Sequence, residues 1–119
     1  MYMKQNYIQN LNRQNRTKVL FKHIIPFWDY YAVYNNSFVE IKLADGNNSY
    51  KLIDGVLFSY DKTELIMYPA KKAGETYTVP DGVTTLAASS FRYVKNLKTV
   101  NISDDVTAIK DSSFSYSSI

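Results

Sequence analysis

Val79-Pro80-Asp81-Gly82-Val83-Thr84-Thr85-Leu86 and Ile102-Ser103-Asp104-Asp105-Val106-Thr107-Ala108-Ile109 are one phrase written twice, 23 residues apart. Val79 aligns with Ile102, Val83 with Val106 and Leu86 with Ile109. Ser90 and Phe91 align in the same way with Ser113 and Phe114, and Tyr77 aligns with Val100. The apolar positions stay in place while the polar ones drift. A fixed period of this length indicates a solenoid, because one copy cannot bury its own apolar face and must stack on the next. Each coil then offers a short strand, Tyr77-Thr78-Val79 or Val100-Asn101-Ile102, with an irregular or helical far side. The turn between them is Pro80-Asp81-Gly82 in one coil and Ser103-Asp104-Asp105 in the other. The expected core is Val79, Val83, Leu86, Phe91, Leu97, Val100, Ile102, Val106, Ile109 and Phe114.

Upstream, Phe38-Val39-Glu40-Ile41-Lys42-Leu43 alternates apolar and polar residues, as a half-buried strand does. Ala44-Asp45-Gly46-Asn47-Asn48 supplies turn chemistry. Val56-Leu57-Phe58 and Leu65-Ile66-Met67-Tyr68 bracket a polar turn and predict an antiparallel hairpin, with Tyr50-Lys51-Leu52-Ile53 and the Asp54-Gly55 turn before it. The hairpin is expected as a side decoration or a divider between coils. Lys71-Lys72-Ala73-Gly74-Glu75 reads as a connecting loop. Residues 18–34 are aromatic and β-branched, and Pro26 argues against one continuous helix there. Residues 1–17 are rich in Asn and Gln without a period, a composition that orders poorly. The expected organisation is a polar segment 1–17, a degenerate first coil or lead-in over 18–37, and a repeat domain over 38–119. Within that domain lie a hairpin at about 50–70 and coils at about 74–96 and 97–119, the last of them incomplete.

The chain has 119 residues, 45% of them hydrophobic, which suits one small domain. It has no cysteine, so neither disulfides nor a Cys-ligated zinc site is available. Eleven Tyr and six Phe fit packing in a sheet and coil core. Charge is uneven: residues 1–28 carry Lys4, Arg13, Arg16, Lys18 and Lys22 without an acid, whereas 29–119 sum to −2. The repeat region is therefore no platform for nucleic acid, and the basic head reads as a solvated segment. Val19-Leu20-Phe21 and Ile24-Ile25-Pro26-Phe27-Trp28 are too short and too interrupted for a clear signal peptide or a transmembrane helix.

Nothing in the chain reads as a catalytic or metal site. His23 is the lone histidine and sits beside Ile24 and Ile25, a structural setting. Asp104, Asp105 and Asp111 suit turns and caps better than calcium, and Lys71-Lys72 suits a solvated loop. No phosphate-cradling loop or nucleophile elbow occurs, and no cofactor is expected. The sequon-like Asn15-Arg16-Thr17, Asn35-Asn36-Ser37, Asn47-Asn48-Ser49 and Asn101-Ile102-Ser103 matter only in a glycosylating pathway.

The pattern Val83, Leu86, Phe91, Leu97, Val100, Ile102, then Val106, Ile109 and Phe114, resembles the BspA-like leucine-rich repeat surface proteins. The segment Tyr50–Ser59 with Leu65–Ala70 looks like the hairpin insert that often separates such coils. The likeness covers about residues 38–119. Val94 and Ser117 take the family's cysteine place, Ser90 and Ser113 its small apolar residue before Phe, and Ala87 and Lys110 its glycine. Ala87 and Lys110 must then avoid positive φ or bear strain. Gly74 stands where Leu97 stands one coil later.

The resemblance implies a non-catalytic protein-binding or cell-surface adhesion module, with a protein or glycan ligand and a surface or secreted location. The expected recognition face is the outward side of the coil strands: Glu75, Thr76 and Thr78, then Lys98, Thr99 and Asn101. The closing leucine and strand of the last coil would fall beyond Ile119, so a truncated fragment of a longer array is the alternative. An uncapped last coil would favour self-association.

Overall fold

The computed structural model describes residues 18–21, 36–43 and 46–119. The expectations for 1–17, Pro26, His23, the sequons at Asn15 and Asn35, and Ala44-Asp45 lie outside them, as does most of the expected 18–37 lead-in. The strands are β1 (Lys18–Phe21), β2 (Glu40–Leu43), β3 (Tyr50–Ile53), β4 (Val56–Ser59), β5 (Glu64–Met67), β6 (Thr76–Thr78), β7 (Thr85–Leu86), β8 (Thr99–Asn101) and β9 (Ala108–Ile109). No helix occurs among the described residues. The far side of each coil is a run of turns.

Coil-to-coil pairing holds the register that the sequence period demands. β6 lies parallel to β8 with Thr76 opposite Thr99, Tyr77 opposite Val100 and Thr78 opposite Asn101. β7 lies parallel to β9 with Thr85 opposite Ala108 and Leu86 opposite Ile109. Parallel pairing follows because successive coils run in the same direction and are joined by a full turn of the solenoid. β1 and β2 are also parallel, Lys18 opposite Glu40.

The antiparallel strands join this stack directly. Asp54 and Gly55 both take positive φ (54° and 81°), the geometry of a tight two-residue hairpin turn, and they fold β3 onto β4. The next turn is held by Asp61, whose Oδ1 accepts hydrogen bonds from Ser59 Oγ (2.8 Å), Thr63 N (3.1 Å) and Thr63 Oγ1 (2.8 Å). These donors hold the Asp61 carboxyl below its ordinary pKa, the Thr63 amide first. β5 pairs antiparallel with β4 and parallel with β7, giving one sheet in the order β3-β4-β5-β7-β9. The three antiparallel strands thus extend the coil sheet rather than hanging beside it.

The main core gathers Val56, Phe58, Leu65, Tyr68, Val79, Val83, Leu86, Phe91, Val94 and Leu97. At its centre the rings of Tyr68, Phe91 and Phe114 stack with centroid spacings of 5.4 and 5.0 Å. A second cluster, Phe38, Ile41, Tyr50, Leu57 and Met67, lies under β2 and the antiparallel strands. Asn36, 2% exposed, ties the segment before β2 to this body. Its Nδ2 donates to Tyr68 O (2.8 Å) and Arg92 O (3.2 Å), and its Oδ1 accepts from Ala70 N (3.0 Å) and Phe38 N (3.4 Å).

Two positions expected in the core stand outside it. Ile102 is 39% and Ile109 53% exposed, whereas their equivalents Val79 and Leu86 are 1% and 0%. The cause is coverage. β7 is flanked by β5 and β9, whereas β9 has a strand on one side only among the described residues. Val106 and Phe114 are half-buried against the core, as are Tyr77 and Val100 on β6 and β8.

The far side carries a backbone ladder of its own. Ser90, Arg92 and Val94 donate their amides three residues back, to Ala87, Ser89 and Phe91. The residues between them, Ser89, Phe91 and Tyr93, donate across to Asp111, Ser113 and Ser115 of the next coil at 3.1, 2.7 and 2.9 Å. Ser89 and Tyr93 take positive φ, and so do Ser112 and Tyr116 one coil later. Ala87 and Lys110 avoid that region, so the cost of left-handed backbone, about 1 kcal/mol or more per non-glycine residue, falls on these other residues.

Two pairs of substitutions test this account of burial. Leu86→Ala should cost about 2–5 kcal/mol in chemical denaturation, and Ile109→Ala under about 1 kcal/mol despite occupying the same repeat position. Ser90 is fully buried and its Oγ has no hydrogen-bond partner among the described residues, whereas Ser113 Oγ donates to Ala87 O at 3.1 Å. Ser90→Ala should therefore stabilise the protein by about 1 kcal/mol, and Ser113→Ala should not.

Candidate recognition face

The strand face of the two coils begins with period-two alternation. Tyr77 points inward, its ring edge-on to Tyr68 (centroids 5.1 Å apart, planes at 66°) and 6.2 Å from Phe91. Its neighbours Thr76 and Thr78 must then point outward, and both are exposed. β8 repeats the arrangement, with Val100 inward and Thr99 and Asn101 outward. The six residues expected on this face are all exposed and all lie on β6, β8 or the residue before each strand.

Their mutual positions are set by the ladder beneath them. Glu75 O accepts from Lys98 N (2.8 Å) and Thr99 N (3.1 Å), which brings the Glu75 and Lys98 positions side by side. Asn101 Nδ2 donates to Thr78 Oγ1 at 3.1 Å, so amide and hydroxyl form a lateral rung across the coils. Below the sheet, Asp105 Oδ2 accepts from Gly82 N at 3.1 Å, which gives that carboxylate a turn-holding task. Among the described residues no group of three or more His, Cys, Asp or Glu converges as a metal site. None of their helices or strands is a helix long and apolar enough to cross a membrane.

A polar hollow of about 310 Å³ adjoins the face, lined by Ala73, Gly74, Glu75, Lys95, Asn96 and Lys98. Gly74 takes φ 117°, a conformation that L side chains rarely adopt, so the wall stays low where Leu97 is buried one coil later. Asn96 Nδ2 fixes the rim by donating to Lys72 O at 3.0 Å. Lys95 and Asn96 are missing from the face read off the strand pattern because they sit at the corner before β8. A signal did exist, since Lys95 falls one period after Lys72. The surface offers hydroxyls, amides, one carboxylate and ammonium groups, the means of recognition by hydrogen bonds and charge.

The inward tyrosine gives a pH test. Burial is the main reason that the Tyr77 hydroxyl titrates well above its ordinary value, with Tyr68 and Asp54 adding to it. Burial likewise raises Tyr68, with Asp54 second. A hydroxyl whose pKa is higher folded than unfolded contributes stability that is complete below about pH 10 and is lost as pH rises further. Melting temperature should therefore fall above about pH 10, and Tyr77→Phe should flatten that fall in a thermal-melt series.

The matches to known proteins agree with this architecture. The family model described as BspA type leucine rich repeat region (6 copies) matches residues 11–119. No curated protein matches the sequence. A crystal structure of a leucine-rich repeat protein from Eubacterium ventriosum is similar with a TM-score of 0.63 and 37% identity over 66% of this chain. The crystal structure of the pneumococcal vaccine antigen PcpA is similar with a TM-score of 0.66 and 36% identity over 71% of this chain. The match takes in 21% of the first chain and 20% of the second, so this protein spans about a fifth of either.

Proposed function

The chain belongs to the BspA-type leucine-rich repeat family, and from that premise we propose that it is a non-catalytic module that binds a protein at a cell surface through the outward face of β6 and β8. Proteins of this family are generally binding or adhesion modules rather than enzymes. One similar structure is a vaccine antigen, which supports the surface setting. The observation that carries the reading is the in-register polar face itself. Thr76, Thr78, Thr99 and Asn101 stand exposed in two aligned rows, while Tyr77 and Val100 between them pack inward. Short polar side chains on a paired backbone lose little entropy when a partner bonds to them.

In this reading residues 74–96 and 97–119 are two of the repeat units, and about 50–70 is a hairpin insert whose last strand starts their stack. Glu75 and Lys98 place opposite charges at neighbouring positions, which favours a partner of mixed charge over a uniformly charged polymer.

Panning a displayed peptide library on the full chain supplies a defined binder. The double substitution Lys98→Ala, Asn101→Ala should weaken that binder about tenfold and leave the melting temperature unchanged. Undiminished binding would move recognition off this face, and a fall in melting temperature would reassign both residues to structure.

A further inference from the structure

Two aromatic columns run along the coils, two residues apart in the chain. The inner one, Tyr68, Phe91 and Phe114, has a ring at every position. The outer one, at residues 70, 93 and 116, holds Ala70, Tyr93 and Tyr116. Tyr93 and Tyr116 stack with centroids 5.2 Å apart and planes 15° from parallel, so the outer column keeps the spacing of the inner one. It stops a ring short, at Ala70.

A hollow of about 470 Å³ lies at that position, and Ala70 and Tyr93 both line it. Its surface is mostly apolar. The volume is within the range of about 300–1,000 Å³ of small-molecule sites, ample for one planar side chain. It meets the polar hollow beside β6 and β8 at Lys95 and Asn96, so one ligand can run from it onto the strand face.

One face of the Tyr93 ring is already taken. The Arg92 guanidinium lies 4.8 Å from the Tyr93 centroid and 4.9 Å from that of Tyr116. With 5.2 Å between the rings these spacings make a nearly equilateral triangle, which puts the guanidinium on the Tyr116 side of Tyr93. The opposite face is turned towards the earlier coil, where Ala70 stands, and the ring is 37% exposed. Arg92 Nη2 also donates to Tyr93 Oη at 3.3 Å, so the ring is held from its covered side and loses little freedom on binding.

The charge around the hollow selects among aromatic partners. Lys71 and Lys95 line it and are exposed, and no acid lines it among the described residues. An ammonium group acts over about 8 Å at physiological ionic strength, so these two need not aim into the hollow to favour acidic neighbours of whatever enters. A sugar is the poorer occupant, because a mostly apolar lining would leave its hydroxyls unpaired.

We propose that this hollow takes an aromatic side chain of a partner protein, flanked there by Asp or Glu, as the third ring of the column of Tyr93 and Tyr116. The inference rests on the protein-binding reading and adds the anchor by which the partner is held.

The test is an NMR titration of the full chain, labelled at its alanine methyl groups, with the peptide acetyl-Glu-Asp-Trp-Asp-Glu-amide. A saturable ring-current shift of the Ala70 methyl is expected. Exchanging the peptide's Trp for Leu, or its acids for Lys, should weaken binding about tenfold. Tyr93→Asn removes the ring with a residue that tolerates the left-handed backbone at this position (φ 65°), and should also weaken binding about tenfold. Tyr93→Phe keeps the ring and should keep the affinity. Melting curves establish that each variant is folded. No shift at Ala70, equal binding of the Leu peptide, the Lys peptide or galactotriose, or indifference to Tyr93→Asn would overturn the proposal. The Lys98→Ala, Asn101→Ala variant separates it from the strand-face reading. Binding of the Trp peptide retained there supports the hollow, even where the library-selected binder ignores both residues. Its loss in a folded variant would put the ring on the strand face and overturn the assignment to this hollow.

Discussion

Phe91 has an aromatic ring on each side of it, Tyr68 before and Phe114 after, and this stack fixes the dimensions of everything built around it. Rings about 5 Å apart match the spacing of hydrogen-bonded backbones, about 4.8 Å, so side chains and main chain advance together. The register differs slightly at the start of the stack. Leu65 pairs with Leu86, whereas three residues later Tyr68 stacks on Phe91. The first coil therefore uses two more residues than β5 and its continuation to reach the same ring, and they lie in the turns after β7. The irregular far side absorbs a mismatch that a helix, with its fixed rise, would not.

The period and the inward positions of the first coil could be read from the chain because packing constrains them locally. Val79, Val83, Leu86, Phe91 and Leu97 are each buried. The same reasoning overstated burial at Ile102 and Ile109, since a repeat identifies a position within a coil and says nothing of what covers it. Tyr68 was harder to place for a different reason. It falls one period before Phe91, but its neighbours run out of phase, and a lone match does not mark a coil. Asn36 left no signal at all. Its side chain bonds to Tyr68, Ala70 and Arg92, far along the chain, and one Asn among many carries no mark of that task.

The exposed face could be read in part for the reason the core could. Alternation along β6 and β8 assigns Thr76, Thr78, Thr99 and Asn101 to the outside once Tyr77 and Val100 are inside. Corners do not alternate, and so Lys95 and Asn96 escaped the pattern. Tyr93 and Lys71 belong to yet another class. They meet at one hollow because the chain segments holding them fold together, a relation no local pattern expresses.

The ladder on the far side also has a direction. Over Ser89, Phe91 and Tyr93 every cross-coil amide points towards the later coil, and Ser90 O in turn accepts from Tyr68 N of the earlier one. Peptide dipoles there line up along the solenoid instead of alternating as they do in a sheet. That alignment belongs to this ribbon alone: the rungs between β6 and β8 run both ways, Val79 N donating to Asn101 O and Thr99 N to Glu75 O.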